Sequence, residues 1–517
     1  MKKSLALILA TILLLSLFTA CGTTEEPAET GGADEPNGET NGETSGETKD
    51  SAIIGLSGEI STFDPWDNAV LITRYLRSNY YEYLLYANEQ GEFEPMIAES
   101  YDISEDGKTY TFHLYEGILF HNGDELTAED VVFSLEKACE SAGFANETAS
   151  IVDIKAVDEY TVEVTLSEVN AYFLLGVATR VCIVNKEYSE SSEDSYDTPV
   201  GTGPYKFVSF TSGYNLVLEA FDQWHGGEVP IKNVEFRVLS DASAAVMSLE
   251  AGDIDMTYTV PSISVAELQE NPDFTVSMVP TQGSAYLVYN TTVAPFDDIN
   301  FRKALQYAVD RDQIITSALD GIGTRSVSVW GSNTIGYTGN YLFPEYDMEK
   351  AKEYIAASDY DGSTINFIIG NDTYRRTAVI LQSAFSELGI NVNIEQVESN
   401  AWITDMKNGN YQMSLVIHTV EPDCDNWSTR FATAGIGVSN MSHLSDPVVD
   451  AAFDAGRATN NVEERCEQYD IVAQYLVDNA IVVPIYYRTM TPAYSSDLEV
   501  SVFENTGYAK AVNMSWK

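Results

Sequence analysis

The residues of this chain that could do covalent chemistry are few and poorly spaced for it. Ser134-Leu135-Glu136-Lys137 fits a Ser-x-x-Lys nucleophile pattern, but it falls inside a predicted helix and the partner motifs Ser-Asp-Asn and Lys-Thr-Gly are absent. There is no Gly-x-Ser-x-Gly, no His-Glu-x-x-His and no Walker loop. Asp102-Ile103-Ser104-Glu105-Asp106-Gly107 begins like a calcium loop, yet His113 stands at the twelfth position, where a bidentate Glu is required. Five histidines are scattered without a cluster; His418 stays a candidate because it ends a predicted strand beside a run of acids. Cys139, Cys182, Cys424 and Cys466 have no Cys-x-x-Cys spacing, which argues against zinc and thioredoxin-like chemistry. Three disulfide pairings, or four free thiols, stay open. The pattern argues against an enzyme and calls for no metal or cofactor.

Composition narrows the classes further. The 517 residues correspond to roughly two to four structural units. With 44% hydrophobic and 21% charged residues, most of the chain can build a packed core. Lys+Arg total 28 against 79 Asp+Glu, a net charge of -51, which excludes nucleic acid as a partner because phosphate binding needs a basic face. It also disfavours charge-driven adhesion to anionic lipid.

Met1-Lys2-Lys3 and the apolar run from Leu5 to Phe18 match the first two regions of a secretory signal. The run is shorter than the roughly 20 residues of a membrane-spanning helix. Thr19-Ala20-Cys21-Gly22 resembles a bacterial lipobox, so we expect a signal peptide over 1–20 and a lipidated Cys21. Residues 22–50 hold nine acids, one lysine and tandem Asn-Gly-Glu-Thr units. Such a segment cannot repay the entropy of ordering. The expectation is a disordered acidic tether over 21–50, holding a globular body near a membrane.

The body alternates elements. Tyr110, Phe112 and Leu114 alternate with Thr109, Thr111 and His113, a strand period, after an Asp106-Gly107 turn. Thr127 with Asp130 reads as a capping box ahead of an apolar stripe of Val131, Val132, Leu135 and Ala138. A helix is expected around Leu71–Leu85, and strands over Ser284–Asn290 and Ile481–Tyr487. From about Asp347, strand and helix alternate. The whole is an α/β protein with more than one sheet.

Several ordered blocks resemble one family. They are Ala98-Glu99-Ser100, Asp106 to Phe112, Phe120-His121-Asn122-Gly123, Thr127 to Ser134, Gly201-Thr202-Gly203-Pro204-Tyr205, Leu249 to Asp255, Asn290-Thr291-Thr292, Pro295 to Asp298, and Arg302 to Arg311. They resemble the extracytoplasmic solute-binding proteins of peptide and nickel ABC transporters. The resemblance implies a two-lobed periplasmic-binding-protein-like fold with a hinge, large type. Lobe I would span 51–283 and 488–517, with an extra subdomain at 86–197, and lobe II would span 284–487. It implies capture of a small solute, a di- or oligopeptide first, for an ABC permease and ATPase complex. A metal chelate or another small solute is the alternative, and a peptide-sensing receptor is another class.

The resemblance also implies where a ligand would touch. A peptide's amine needs an acid and its carboxylate needs a cation. Aligning Asp423-x-Asp425-Asn426 to the family's Asp-Pro-Asp-Asn puts Val420 where the amine-binding aspartate belongs, so Glu421 or Asp423 would substitute. Trp402 resembles a cleft tryptophan, with Trp427 a second aromatic. Arg375 and Arg376 would reach an anionic end. Thr62 and Phe63 would face the ligand from lobe I, and His418 would be the residue toward a metal chelate.

Overall fold

The computed structural model describes residues 49–517 apart from 68–70, 89–91, 192–194, 333, 419–422 and 502–507. The expected signal peptide, Cys21 and nearly all of the tether lie outside these residues. Lys49–Lys517 form one compact unit.

Two large sheets organise it. The first has seven strands in the order Phe274–Val276, Ala493–Ser495, Met256–Thr257, Ser51–Leu56, Asn233–Val238, Asn215–Ala220 and Tyr205–Thr211. Ser51–Leu56 runs parallel to both of its neighbours, and the other pairings are antiparallel. The second has six strands in the order Thr324–Arg325, Val482–Met490, Val279–Tyr289, Met413–Ile417, Ile365–Ile369 and Val392–Gln396. Each sheet is the centre of one lobe. The chain leaves the first sheet after Val276, enters the second at Val279, leaves it at Met490 and re-enters the first at Ala493. The antiparallel pair Val279–Tyr289 and Val482–Met490 is therefore the double crossing between lobes.

Strand period explains the second lobe's core. Ala285, Leu287 and Tyr289 point into one apolar cluster with Phe301, Leu305 and Phe385. Tyr286 and Val288, one residue out of phase, point into another with Trp427, Phe453 and Val482. Both faces of this strand are buried, as a central strand covered by helices on both sides requires. Each fully buried large side chain is worth about 1.5–3 kcal/mol.

A four-stranded antiparallel sheet, Ala98–Ile103, Thr109–Leu114, Thr161–Leu166 and Ile151–Asp158, forms a subdomain beside the first lobe. Thr109–Leu114 alternates half-buried and buried along its length. The helix Ala128–Glu140 starts at a capping box, with Thr127 N–H donating to Asp130 Oδ2 at 2.9 Å. The other carboxylate oxygen of Asp130 accepts from Lys186 N–H at 2.9 Å, which pins a neighbouring helix start. The helix expected over Leu71–Leu85 covers only Leu71–Arg77. There Asn79 Nδ2 donates to the Leu76 carbonyl, and Tyr80 and Tyr81 turn inward to pack under Gly201 and Gly203.

His121 locks two of the sequence blocks together. Its Nδ1 accepts from Gly201 N–H at 3.2 Å, and its Nε2–H donates to the Gly203 carbonyl at 2.9 Å. That arrangement requires the neutral ring, and burial pushes its pKa down to about 4. The unfolded chain takes up a proton below about pH 6.5, whereas the folded chain does not until about pH 4. His121 therefore withdraws stability as pH falls through that window, about 2 kcal/mol between pH 7 and pH 5. Urea unfolding at pH 7, 6 and 5 should show a shallower decline in His121→Gln than in the unsubstituted protein. Equal slopes would contradict the assignment.

Candidate functional site

The double crossing forms the floor between the lobes. Thr281 Oγ1 donates to the Arg488 carbonyl at 2.7 Å where the strand register shifts, and His418 N–H donates to the Ser284 carbonyl at 3.0 Å. On the lobe I side, Tyr508 stacks on Tyr75 with ring centres 4.1 Å apart and leans on Tyr258 at 4.8 Å. On the lobe II side, Tyr374 leans on Trp402 at 5.8 Å, and its hydroxyl is held by the Ile417 backbone. Arg488, on the strand Val482–Met490, has an exposed side chain, and its positive charge pulls the Tyr374, Tyr486 and Tyr508 hydroxyls down against the larger effect of burial. Burial raises all three tyrosines, which stay protonated and able to donate.

The residues singled out in the sequence take different places. Trp402 is buried against Gly370, and its Nε1–H donates to Ser414 Oγ at 2.8 Å. His418 and Trp427 form an aromatic group with Tyr286, and the Arg430 guanidinium lies 5.1 Å over the Trp427 ring. His418 Nε2 is buried without a hydrogen-bond partner among the described residues, and burial first, then Arg430, holds the ring well below the ordinary histidine range. Thr62 is half-buried and its Oγ1 accepts from Asp64 N–H at 3.0 Å. Phe63 points into lobe I, edge-on to Phe210 at 4.9 Å and Phe207 at 5.7 Å. Glu421 lies outside the described residues.

Both acids of the Asp423-x-Asp425 motif hold arginines. Asp423 takes the Arg465 fork at 2.7 and 2.9 Å, and both side chains are buried. Asp425 takes the Arg457 fork at 3.0 and 3.1 Å. Burial raises the Asp425 carboxyl against the pull of Arg457. Arg376 likewise grips Asp320 at 2.8 and 2.9 Å. Asp320 in turn accepts from Ser262 Oγ of the first lobe at 2.6 Å, so this triad joins the lobes. The Arg376 and Ser262 hydrogen bonds hold the Asp320 carboxyl down at about 2. Arg375 is exposed and donates to Gln396 at 2.5 Å. Asp423, Asp425 and Arg376 are thus engaged inside the protein, while Arg488, a residue that the sequence reading missed, is exposed on the strand Val482–Met490. Its signal was present: it is the single charge within the apolar run Ile481 to Met490.

On the opposite flank the subdomain also meets lobe II. Ala171 N–H donates to the Arg457 carbonyl at 3.1 Å, and the Tyr110 hydroxyl bonds the Asn460 side chain. A cavity of about 460 Å³ lies between them, lined by Glu147, Tyr172 and Arg180 on one side and Arg430, Asp454 and Arg457 on the other. Among the described residues no three His, Cys, Asp or Glu side chains gather in a way that could hold a metal ion. No helix among those residues is long and apolar enough to cross a membrane. All four body cysteines are free thiols.

Comparison with known proteins agrees with this architecture. Residues 92–436 match the family model for bacterial extracellular solute-binding proteins, family 5. Heme-binding protein A of Haemophilus influenzae is 28% identical over 424 residues, 75% of this chain and 77% of that protein. The dipeptide-binding protein of Escherichia coli is 27% identical over 462 residues, 82% of this chain and 86% of that protein. The crystal structure of the ABC transporter substrate-binding protein CtaP of Listeria monocytogenes superposes with a TM-score of 0.83 at 25% identity, covering 91% of this chain and all of that one. With a family match over more than half its length and a two-lobed architecture shared with a solved relative, the chain belongs to the family 5 solute-binding proteins, extracytoplasmic components of ABC importers rather than enzymes.

Proposed function

We propose that this chain captures a di- or oligopeptide by closing its lobes and delivers it to an ABC permease and ATPase complex. A lipid on Cys21, exposed after removal of residues 1–20, would hold the body outside the cytoplasm on the 21–50 tether. The binding lobes in this reading are 51–283 with 488–517, and 284–487. Closure about the double crossing buries the solute, and the solute favours the closed state by the contacts it makes only there.

The observation that carries the peptide reading is the tyrosine-walled cleft. The half-buried rings of Tyr75 and Tyr508 on one side, with Tyr374 on the other, offer apolar area to side chains of many shapes. Thr62, Trp402 and His418 are proposed as the neighbouring cleft residues. Asp423 and Asp425 are proposed as supports of the wall behind it. His418 motivates a second reading, a metal that arrives already chelated and takes the imidazole as one further ligand.

A thermal-shift panel separates the two. Emptied by unfolding and refolding, the full chain is tested with Ala-Ala, Ala-Ala-Ala, penta-alanine and nickel–histidine. A peptide at a hundred times its Kd adds about 2.7 kcal/mol, a shift of several degrees. Stabilisation by one or more peptides supports the proposal. Stabilisation by nickel–histidine with all peptides inert overturns it in favour of the chelate.

A further inference from the structure

We propose that the subdomain clasps lobe II through a small, releasable contact, Tyr110 and Ala171 against Asn460 and Arg457, and that this clasp sets how long the lobes stay shut on a solute. This rests on capture by lobe closure and adds which contact must open for release.

The contact is made by neutral groups. The helix Pro447–Arg457 ends at Arg457, and the last carbonyls of a helix have no partner within it. Ala171 N–H supplies one from the subdomain, donating to the Arg457 carbonyl at 3.1 Å. Three residues on, Asn460 meets the hairpin turn. Its Nδ2 lies 3.4 Å from where a Cβ on Gly107 would stand, and its side chain bonds the Tyr110 hydroxyl. Each partner is fixed on its own side. Asn170 holds the Ala171 loop, its Nδ2 donating to Ser150 Oγ at 3.0 Å and its Oδ1 accepting from Tyr172 N–H at 3.1 Å. Arg457 is held by the Asp425 fork and by Ser428 Oγ at 3.0 Å.

The charges beside the contact are arranged for separation. Around the cavity of about 460 Å³, Glu147 pairs with Arg180 at 3.4 Å within the subdomain, and Asp425 pairs with Arg457 within lobe II. Moving the two faces apart breaks neither pair, so it strands neither buried carboxylate. The Ala171 and Asn460 hydrogen bonds are exchanged for water, and each such exchange shifts an equilibrium by roughly 10-fold or less.

The opposite flank is built the other way. There Ile322 of lobe II packs against the lobe I cluster that holds Leu249, Val260 and Val265, and Asp320 accepts from Ser262 Oγ at 2.6 Å. Val260 is bonded in turn to Thr491 at the crossing, its N–H donating to the Thr491 carbonyl at 3.1 Å and its carbonyl accepting from Thr491 Oγ1 at 2.8 Å. An apolar contact beside the crossing is costly to expose and moves little as the lobes rock. That flank is the bearing, and the subdomain flank is the side that opens. The clasp is also coupled to the aromatic group of lobe II. Asp425, held by Arg457, belongs to the segment Cys424–Trp427, and Trp427 stands edge-on to His418 at 5.5 Å. A solute that steadies this segment steadies the Arg457 helix end and favours the clasped state.

The test uses the full chain, emptied by refolding, as Asn460→Ala, as the double variant Tyr110→Phe with Asn460→Ala, and as Ser262→Ala on the bearing. Stopped-flow kinetics with Ala-Ala-Ala should show release roughly 3- to 10-fold faster in both clasp variants, with association unchanged. Ser262→Ala should release the peptide at the unsubstituted rate. Hydrogen exchange of the emptied proteins needs no solute. Amides of residues 169–173 should exchange roughly 3- to 10-fold faster in the double variant, and those of 319–323 should not change. Unchanged release in both clasp variants, or faster release in Ser262→Ala alone, overturns the clasp. So does exchange that rises alike on both flanks, which marks a fold that is merely destabilised. If Ala-Ala-Ala does not bind the unsubstituted protein, the peptide reading fails by itself and exchange decides. Acceleration confined to 169–173 then supports the clasp, and unaltered exchange overturns it.

Discussion

Asp423→Ala should lower the free energy of unfolding by about 3–5 kcal/mol, the range for removing one partner of a buried ion pair. Asp423 and Arg465 are 2% and 5% exposed, and solvent cannot take over the charge that is left behind. The remaining contacts of Arg465, to the Gly456 carbonyl and the Tyr469 hydroxyl, do not neutralise it. Asp423 Oδ1 also accepts from Asp425 N–H at 2.8 Å, so the turn that starts the Cys424–Trp427 segment loses its cap as well. A double variant, Asp423→Leu with Arg465→Met, should recover much of the loss, since replacing both charges by apolar groups of similar volume is often neutral. Urea denaturation of the emptied proteins checks this. If Asp423→Ala instead left stability intact and weakened peptide binding, Asp423 would be a ligand for the solute's amine and not a strut.

Gly201→Ala should be comparably severe, for a steric reason. A Cβ there would lie 2.0 Å from the Tyr80 carbonyl oxygen and 2.9 Å from its carbon. These are backbone atoms, so no rotamer change relieves the overlap. Moving the segment breaks the Gly201 N–H bond to His121 and strains the Gly203 N–H bond to Tyr80 at 3.1 Å. The combined cost is expected to exceed about 3 kcal/mol. Gly123→Ala is the control. Its φ is +92°, but a Cβ there meets nothing within 4 Å, so the cost should stay near the roughly 1–2 kcal/mol of a left-handed backbone. Melting curves that rank the two alike would contradict the close-approach argument.

The contrast between these residues shows what the sequence could and could not reveal. Local signals read true because their causes are local. The alternation of Tyr110, Phe112 and Leu114 is the pleat itself, and Thr127 with Asp130 satisfies helix N–H groups three residues away. The strands flanking the crossing were legible as apolar runs, although they extend to Val279 and Met490, beyond what alternation alone marks. The partners of charged residues were not legible. Asp423 meets Arg465 across 42 positions and Arg376 meets Asp320 across 56, and nothing short-range announces either pairing. Phe63 looked like a cleft residue by its place in an opening loop, yet Phe207 and Phe210 claim it for the core.

The central claim is that the lobes close on a small solute. Small-angle scattering of the emptied full chain, before and after adding back the material that it releases on denaturation, tests this most directly. The account predicts a smaller radius of gyration with the released solute and a return to the larger value when it is removed. An unchanged radius at saturating solute would contradict capture by closure.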